Sequence, residues 1–112
     1  MNLPQKLLFI CSRNRWRSLT AEHLLQGHPR YSVKSAGTES GARIRVNAGH
    51  LGWADLIFVM EKKHAQILHQ KFAETLTGKP IICLHIPDEF EYMHPELVDI
   101  LKTSLSEHLD LD

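Results

Sequence analysis

The sequence predicts a single three-layer α/β/α domain built on a four-stranded parallel sheet, and three observations lead to it. Apolar runs of strand length alternate with segments of helical periodicity, as expected of a parallel sheet covered by helices. The first run, Leu7-Leu8-Phe9-Ile10, is continuously apolar, which a strand covered on both faces requires. The 112 residues suffice for one domain, 1–112, because a chain of that size buries roughly two thirds of its unfolded surface in one modest core.

Lys6 to Cys11 is the first strand, and a helix follows from about Arg17, with Leu19, His23 and Leu24 at helical spacing and Gly27 and Pro29 as its stop. Tyr31 to Ser35 is a second strand whose alternation suits a sheet edge, and Ala36-Gly37-Thr38 turns it away. Glu39 to Gly52, with Gly41, Gly49, Gly52, Arg43 and Arg45, is assigned only a short helix around Val46 to Leu51. Asp55 to Met60 is the third strand, with Asp55 flanking or capping it. Glu61 to Thr75 is a helix whose Ala65, Leu68 and Phe72 face the sheet. Pro80 to Leu84 is the last strand, opened by a proline that cannot prolong the preceding helix. Pro95 starts a helix with the stripe Leu97, Val98, Leu101 and Leu105 and with Glu96 near its positive end; Asp110-Leu111-Asp112 should fray.

Thirteen Lys and Arg balance thirteen Asp and Glu, so the molecule exerts no broad pull on nucleic acid or anionic membranes, and any anion selectivity must be local. The segment Met1-Asn2-Leu3-Pro4-Gln5-Lys6 precedes an apolar run far too short for a signal sequence or a membrane span, so a soluble, cytoplasmic protein is expected. Cys11 and Cys83 lie far apart without a CxxC and read as free thiols in a reducing compartment. Among eight histidines, His64 and His69, like His23 and His28, are five apart and fall off a shared helical face, so no metal-ligand set emerges and no metal cofactor is expected.

The chemistry concentrates in Cys11-Ser12-Arg13-Asn14-Arg15-Trp16-Arg17-Ser18, a polar loop between a buried strand and a helix. Such a turn at the carboxyl edge of a parallel sheet aims successive backbone N–H groups at one point, and the first helical turn adds unpaired donors and positive partial charge. That is an anion cradle. Cys11 stands at its base, where guanidinium charge and the helix N-terminus favour the nucleophilic thiolate. Arg17, six residues on, can lay its planar fork against two phosphate oxygens.

The spacing Cys-x5-Arg followed by Ser resembles the signature loop of cysteine-dependent phosphatases. The wider context resembles the low-molecular-weight protein tyrosine phosphatases, through Cys11, Asn14, Arg17, Ser18, Ala21 and Glu22, then Ser35-Ala36-Gly37-Thr38 and the strand Ala54 to Met60. The resemblance implies the strand order 2-1-3-4, a Ser18 hydrogen bond to the Cys11 thiolate, and an Asn14 that holds the loop in a left-handed conformation. It further implies hydrolysis of a phosphomonoester, phosphotyrosine by default, through a phosphocysteine, on a phosphorylated protein or small molecule, with phosphate or sulfate able to occupy the loop. By the same likeness Asp88, in the loop after the last strand, is the general acid, with Glu89 and Glu91 as alternatives. This chain departs from the pattern: Pro87 precedes Asp88 and Glu89 follows it, where the family usually places Pro and an aromatic after the acid. Arg13 and Trp16 replace a common glycine and a second cysteine, and the segment Glu39 to Gly52 is short.

Each reading has a plainer rival. Cys11 can be an apolar strand end, and Asp88 an ordinary loop carboxylate. Cys83, within Ile81-Ile82-Cys83-Leu84, reads as core, which also argues against an arsenate reductase, whose redox steps need a relay of cysteines. Arg13 and Arg15 are either solvated or recruit an acidic substrate. Trp16 and Trp53 read as packing residues, with a place in the cleft wall the alternative for either. His50 or His85 could join the site, although surface or core roles suit them better. A catalytically idle phosphate-binding module is the rival of another class, and a nucleic-acid patch of Arg13, Arg15, Arg17 and Trp16 is disfavoured by the neutral charge.

Overall fold

The computed structural model describes residues 3–111. In chain order the elements are β1 (Gln5–Cys11), α1 (Arg17–Leu25), β2 (Tyr31–Gly37), α2 (Ala48–Trp53), β3 (Leu56–Val59), α3 (Lys62–Phe72), β4 (Ile81–Cys83) and α4 (Pro95–Ser106). The strands form one sheet in the order β2-β1-β3-β4, every pair parallel. The order and layers are those expected.

Side chains alternate across a strand, so the continuous apolar run of β1 feeds two cores. Leu7, Phe9 and Cys11 pack with Leu56, Phe58 and Met60 beneath Ala21 and Leu25 of α1 and Leu97, Leu101 and Leu105 of α4. Leu8 and Ile10 pack with Ile57 and Val59 beneath Leu51 of α2 and Leu68 of α3. Asp55 clamps the start of the sheet: its carboxylate accepts from the Lys6 N–H at 2.9 Å, and its own N–H donates to the Lys6 carbonyl at 2.8 Å.

Several boundaries differ from expectation, each for a local reason. β2 runs on to Gly37 rather than turning at Ala36, because Ala36 and Gly37 pair with Ile10 and Cys11 of β1; past it the Thr38 and Glu39 N–H groups donate to the Cys11 and Ser12 carbonyls, both at 3.0 Å. The inward face of α1 is Arg17, Ser18, Thr20, Ala21 and Leu25, while His23 is exposed and Leu19 and Leu24 are half-buried. α3 ends at Phe72, where the chain tightens so that Leu76 is buried and Gly78 takes φ +77°. Cys83 is half-buried against the second core instead of sealed in it. Asp110, expected to fray, donates its N–H to the Tyr31 hydroxyl at 2.7 Å and pairs with Arg30 at 2.9 Å. Asp112 lies outside the described residues. Among those described, no helix is long and apolar enough to cross a membrane.

Because all strands run the same way, the loops after β1, β3 and β4 leave from one edge. The pairing of β4 with β3 is prolonged past Cys83 by the Leu84 N–H to Val59 and the Ile86 N–H to Met60, at 2.9 and 2.8 Å. That carries the segment holding Asp88 to the mouth of the loop after β1.

Candidate active site at the carboxyl edge of the sheet

Loop 11–17 closes around a pocket lined by Cys11, Ser12, Arg13, Arg15, Trp16, Arg17 and Asp88. Asn14 makes the turn possible with φ +58°, the left-handed region that Asn tolerates better than most residues. A second layer braces the loop from outside. The Arg43 N–H donates to the Arg13 carbonyl at 2.9 Å, and the Arg43 Nε to the Asn14 carbonyl at 3.1 Å. Gly37 is needed for this approach, since a Cβ there would lie 2.5 Å from the Ser12 carbonyl oxygen and 2.7 Å from the Ala42 Cβ.

Cys11, only 3% exposed as a residue, lines the base of the pocket. Its sulfur receives the Asn14 N–H at 3.3 Å and lies 2.9 Å from the Ser18 Oγ. Proton counting fixes the direction of the second contact. The Asn14 amide donates to the Ser18 Oγ at 2.7 Å and to the Ser35 Oγ at 2.8 Å, using both its hydrogens. Ser35 in turn donates to the Glu22 carboxylate at 2.5 Å. Ser18 is left to direct its single proton at the sulfur, and a hydrogen bond to the charged form favours a thiolate there. The residues that the resemblance singled out, Asn14, Ser18, Ser35 and Glu22, form one chain ending on Cys11.

Arg17 is the largest fully buried side chain, 1% exposed, and reaches across to the other two loops. Its Nη1 donates to the Ile86 carbonyl at 2.8 Å and lies 3.5 Å from the Glu61 carboxylate, and its Nε lies 3.7 Å from Asp88 Oδ1. One guanidinium therefore ties the cradle to the segment that supplies the candidate acid. The Asp88 side chain is half-exposed and lines the pocket; Glu89 and Glu91 are exposed and do not.

His64 is a site residue that sequence reasoning missed. It is fully buried at the third position of α3, and its Nδ1 accepts the Glu61 N–H at 3.0 Å. Nε2 must then carry the proton, and it donates to the Ser12 Oγ at 2.9 Å. Burial first and the Arg17 charge second lower its pKa to about 4, so the ring is neutral. Burial acts to raise the Glu61 carboxyl, but the Arg17 charge and the hydrogen bond and charge of Lys63 outweigh it and hold the group below its ordinary value. A signal was present: Glu61-x-x-His64 directly after a buried strand has the spacing of a reciprocal helix cap. Asn47 and His50 use it at α2, with bonds of 3.0 and 3.1 Å, which gives His50 a structural role.

Trp16, read as a packing residue, is instead 44% exposed and forms pocket wall. Trp53 does pack on the second core, with the Lys34 ammonium 4.5 Å over its ring. Arg13 is exposed and pairs with Glu39 at 3.3 Å; Arg15 is exposed beside the pocket. His85 is exposed with φ +56° at the start of the Asp88 segment. No group of three or more His, Cys, Asp or Glu among the described residues could hold a metal ion.

A parallel 2-1-3-4 sheet with a cysteine-centred loop at its carboxyl edge defines a class: the chain has the fold of the low-molecular-weight protein tyrosine phosphatases. The tyrosine phosphatase Wzb from Escherichia coli K30, solved with phosphate, superposes with a TM-score of 0.76 and 21% identity over 94% of this chain and 96% of its own. A low-molecular-weight protein tyrosine phosphatase from Streptococcus pyogenes gives 0.75 at 15% identity over 95% and 94%. The YwlE arginine phosphatase from Geobacillus stearothermophilus gives 0.70 at 21% identity over 96% and 99%. No protein-family model and no curated protein sequence matches the chain.

Proposed function

We propose that the chain is a cysteine-dependent phosphatase that hydrolyses a phosphomonoester, phosphotyrosine by default, through a phosphocysteine intermediate. The observation that carries this reading is Cys11 at the base of the pocket, its sulfur held at 2.9 Å by Ser18 and flanked by the buried Arg17. In the first step the thiolate attacks phosphorus in line, the bond to the leaving oxygen breaks, and Asp88 gives that oxygen a proton. In the second, Asp88 takes a proton from water, the water oxygen attacks phosphorus, and the S–P bond breaks to release phosphate and regenerate the thiolate. Arg17 and the loop amides offset charge on the equatorial oxygens throughout. No step calls for a metal or organic cofactor. The free Cys11 and Cys83 suit a reducing, cytoplasmic setting.

Turnover of p-nitrophenyl phosphate and of a phosphotyrosyl peptide, with mapping of a trapped phosphoenzyme, tests the proposal. The phosphoryl group is expected on Cys11, and Cys11→Ser and Arg17→Ala should each abolish turnover. Asp88→Asn should slow esters with poor leaving groups more than p-nitrophenyl phosphate; equal slowing would move the acid role to Glu89 or Glu91. Tight phosphate binding by a wild-type protein with no turnover would identify a docking module instead.

A further inference from the structure

The chain has no net charge, yet its pocket mouth is basic. Arg13, Arg15 and Arg17 all line it, and Arg43 lies against the outside of the loop. Three of these cations are engaged: Arg17 by Ile86, Glu61 and Asp88, Arg13 by Glu39, and Arg43 by the Asn14 carbonyl. Arg15 makes no hydrogen bond or ion pair with any described residue. Beside it stands Trp16, whose backbone is held by its carbonyl, which accepts from the Thr20 N–H and Oγ1 at 2.9 and 2.6 Å. The mouth thus offers, beside Cys11 and Arg17, one exposed aromatic surface and one uncommitted guanidinium.

A phosphoryl group seated on the floor uses Arg17 and the loop amides, which leaves Trp16 to meet the group that carries the phosphate and Arg15 to meet whatever flanks it. An aryl ring gains stacking on an indole. A guanidinium fork suits a carboxylate, which it can engage through two parallel hydrogen bonds. A cationic group such as a phosphorylated guanidine would instead meet Arg15 as a like charge. Resting on the phosphatase reading above, we propose that Arg15 and Trp16 form a subsite that selects phosphotyrosyl peptides carrying Asp or Glu next to the phosphotyrosine.

The test uses phosphotyrosyl peptides of equal length flanked by Glu, Ala or Lys. For wild type, kcat/KM should fall in that order, by about threefold to fivefold per charge at low ionic strength. The differences should shrink as salt rises to ~0.5 M, where exposed charges are screened. Arg15→Gln should bring the three peptides to within about twofold of one another, and Arg15→Lys should keep the order. The same peptides titrated against Cys11→Ser report recognition without turnover. Charge-ranked binding alongside an inert wild type would sink the phosphatase reading and leave the subsite standing. Equal kcat/KM for the three peptides, or a ranking that persists in Arg15→Gln, would sink the subsite.

Discussion

Asn14 performs two separable tasks, adopting a left-handed backbone and donating from its amide to Ser18 and Ser35. Asn14→Gly keeps the first and removes the second, and should lower stability by about 1–3 kcal/mol. Asn14→Ala loses both and should cost roughly 1 kcal/mol more. Urea unfolding of the two variants reads the difference, and a Gly variant as stable as wild type would show that the amide is idle. His64 gives stability a pH dependence. Its folded pKa of about 4 lies below the ordinary 6.5, so between those values the unfolded chain binds more protons. Stability therefore falls as pH drops from 6.5 to 4, by up to about 3 kcal/mol, and levels below that. His64→Gln should flatten this stretch of a denaturation series; an unchanged slope would assign the dependence to other groups. Cys11, Asn14, Arg17 and Ser18 were legible in the sequence because they lie within one strand-loop-helix, where spacing translates into geometry. The Ser12–His64 bond spans 52 residues and forms only when β3 is set beside β1, which no local pattern reports.

At the scale of elements, β2 and the cradle share a wall at Gly37. Gly37→Ala would push a methyl into the Ser12 carbonyl and Ala42, and overpacking of this kind costs about 1–3 kcal/mol. The displaced carbonyl belongs to the cradle, so inhibition by inorganic phosphate should weaken as well; a variant that loses stability but binds phosphate normally would show that the loop tolerates the shift. The buried runs Leu7 to Ile10 and Leu56 to Met60 identified their strands from hydrophobicity alone, and Pro95 marked the start of α4. The inward face of α1 resisted the same method. Its packed positions are Arg17, Ser18, Thr20, Ala21 and Leu25, mostly polar because this helix carries site groups inward, so a search for apolar periodicity selected Leu19, His23 and Leu24. The segment 39–47 was illegible for a related reason: it is ordered by bonds to the loop 11–14 rather than by a period of its own.

Across the whole molecule, the balanced charge masks a local asymmetry, with cations gathered at one edge of the sheet. Arg17 is the extreme case: its guanidinium is taken from water, with carboxylates no nearer than 3.5 and 3.7 Å. Such an arrangement is electrostatically unfinished. A bound oxyanion would complete it, and whatever binds only the native state also shifts the unfolding equilibrium, by about 2.7 kcal/mol at a hundredfold excess over Kd. Inorganic phosphate should therefore act as a thermal protectant. The melting temperature in phosphate should exceed that in chloride at equal ionic strength, and Arg17→Ala should erase the gap. An equal gap in the variant would mean that phosphate protects from somewhere else. For a domain this small, such an anion would in effect be part of what keeps it folded.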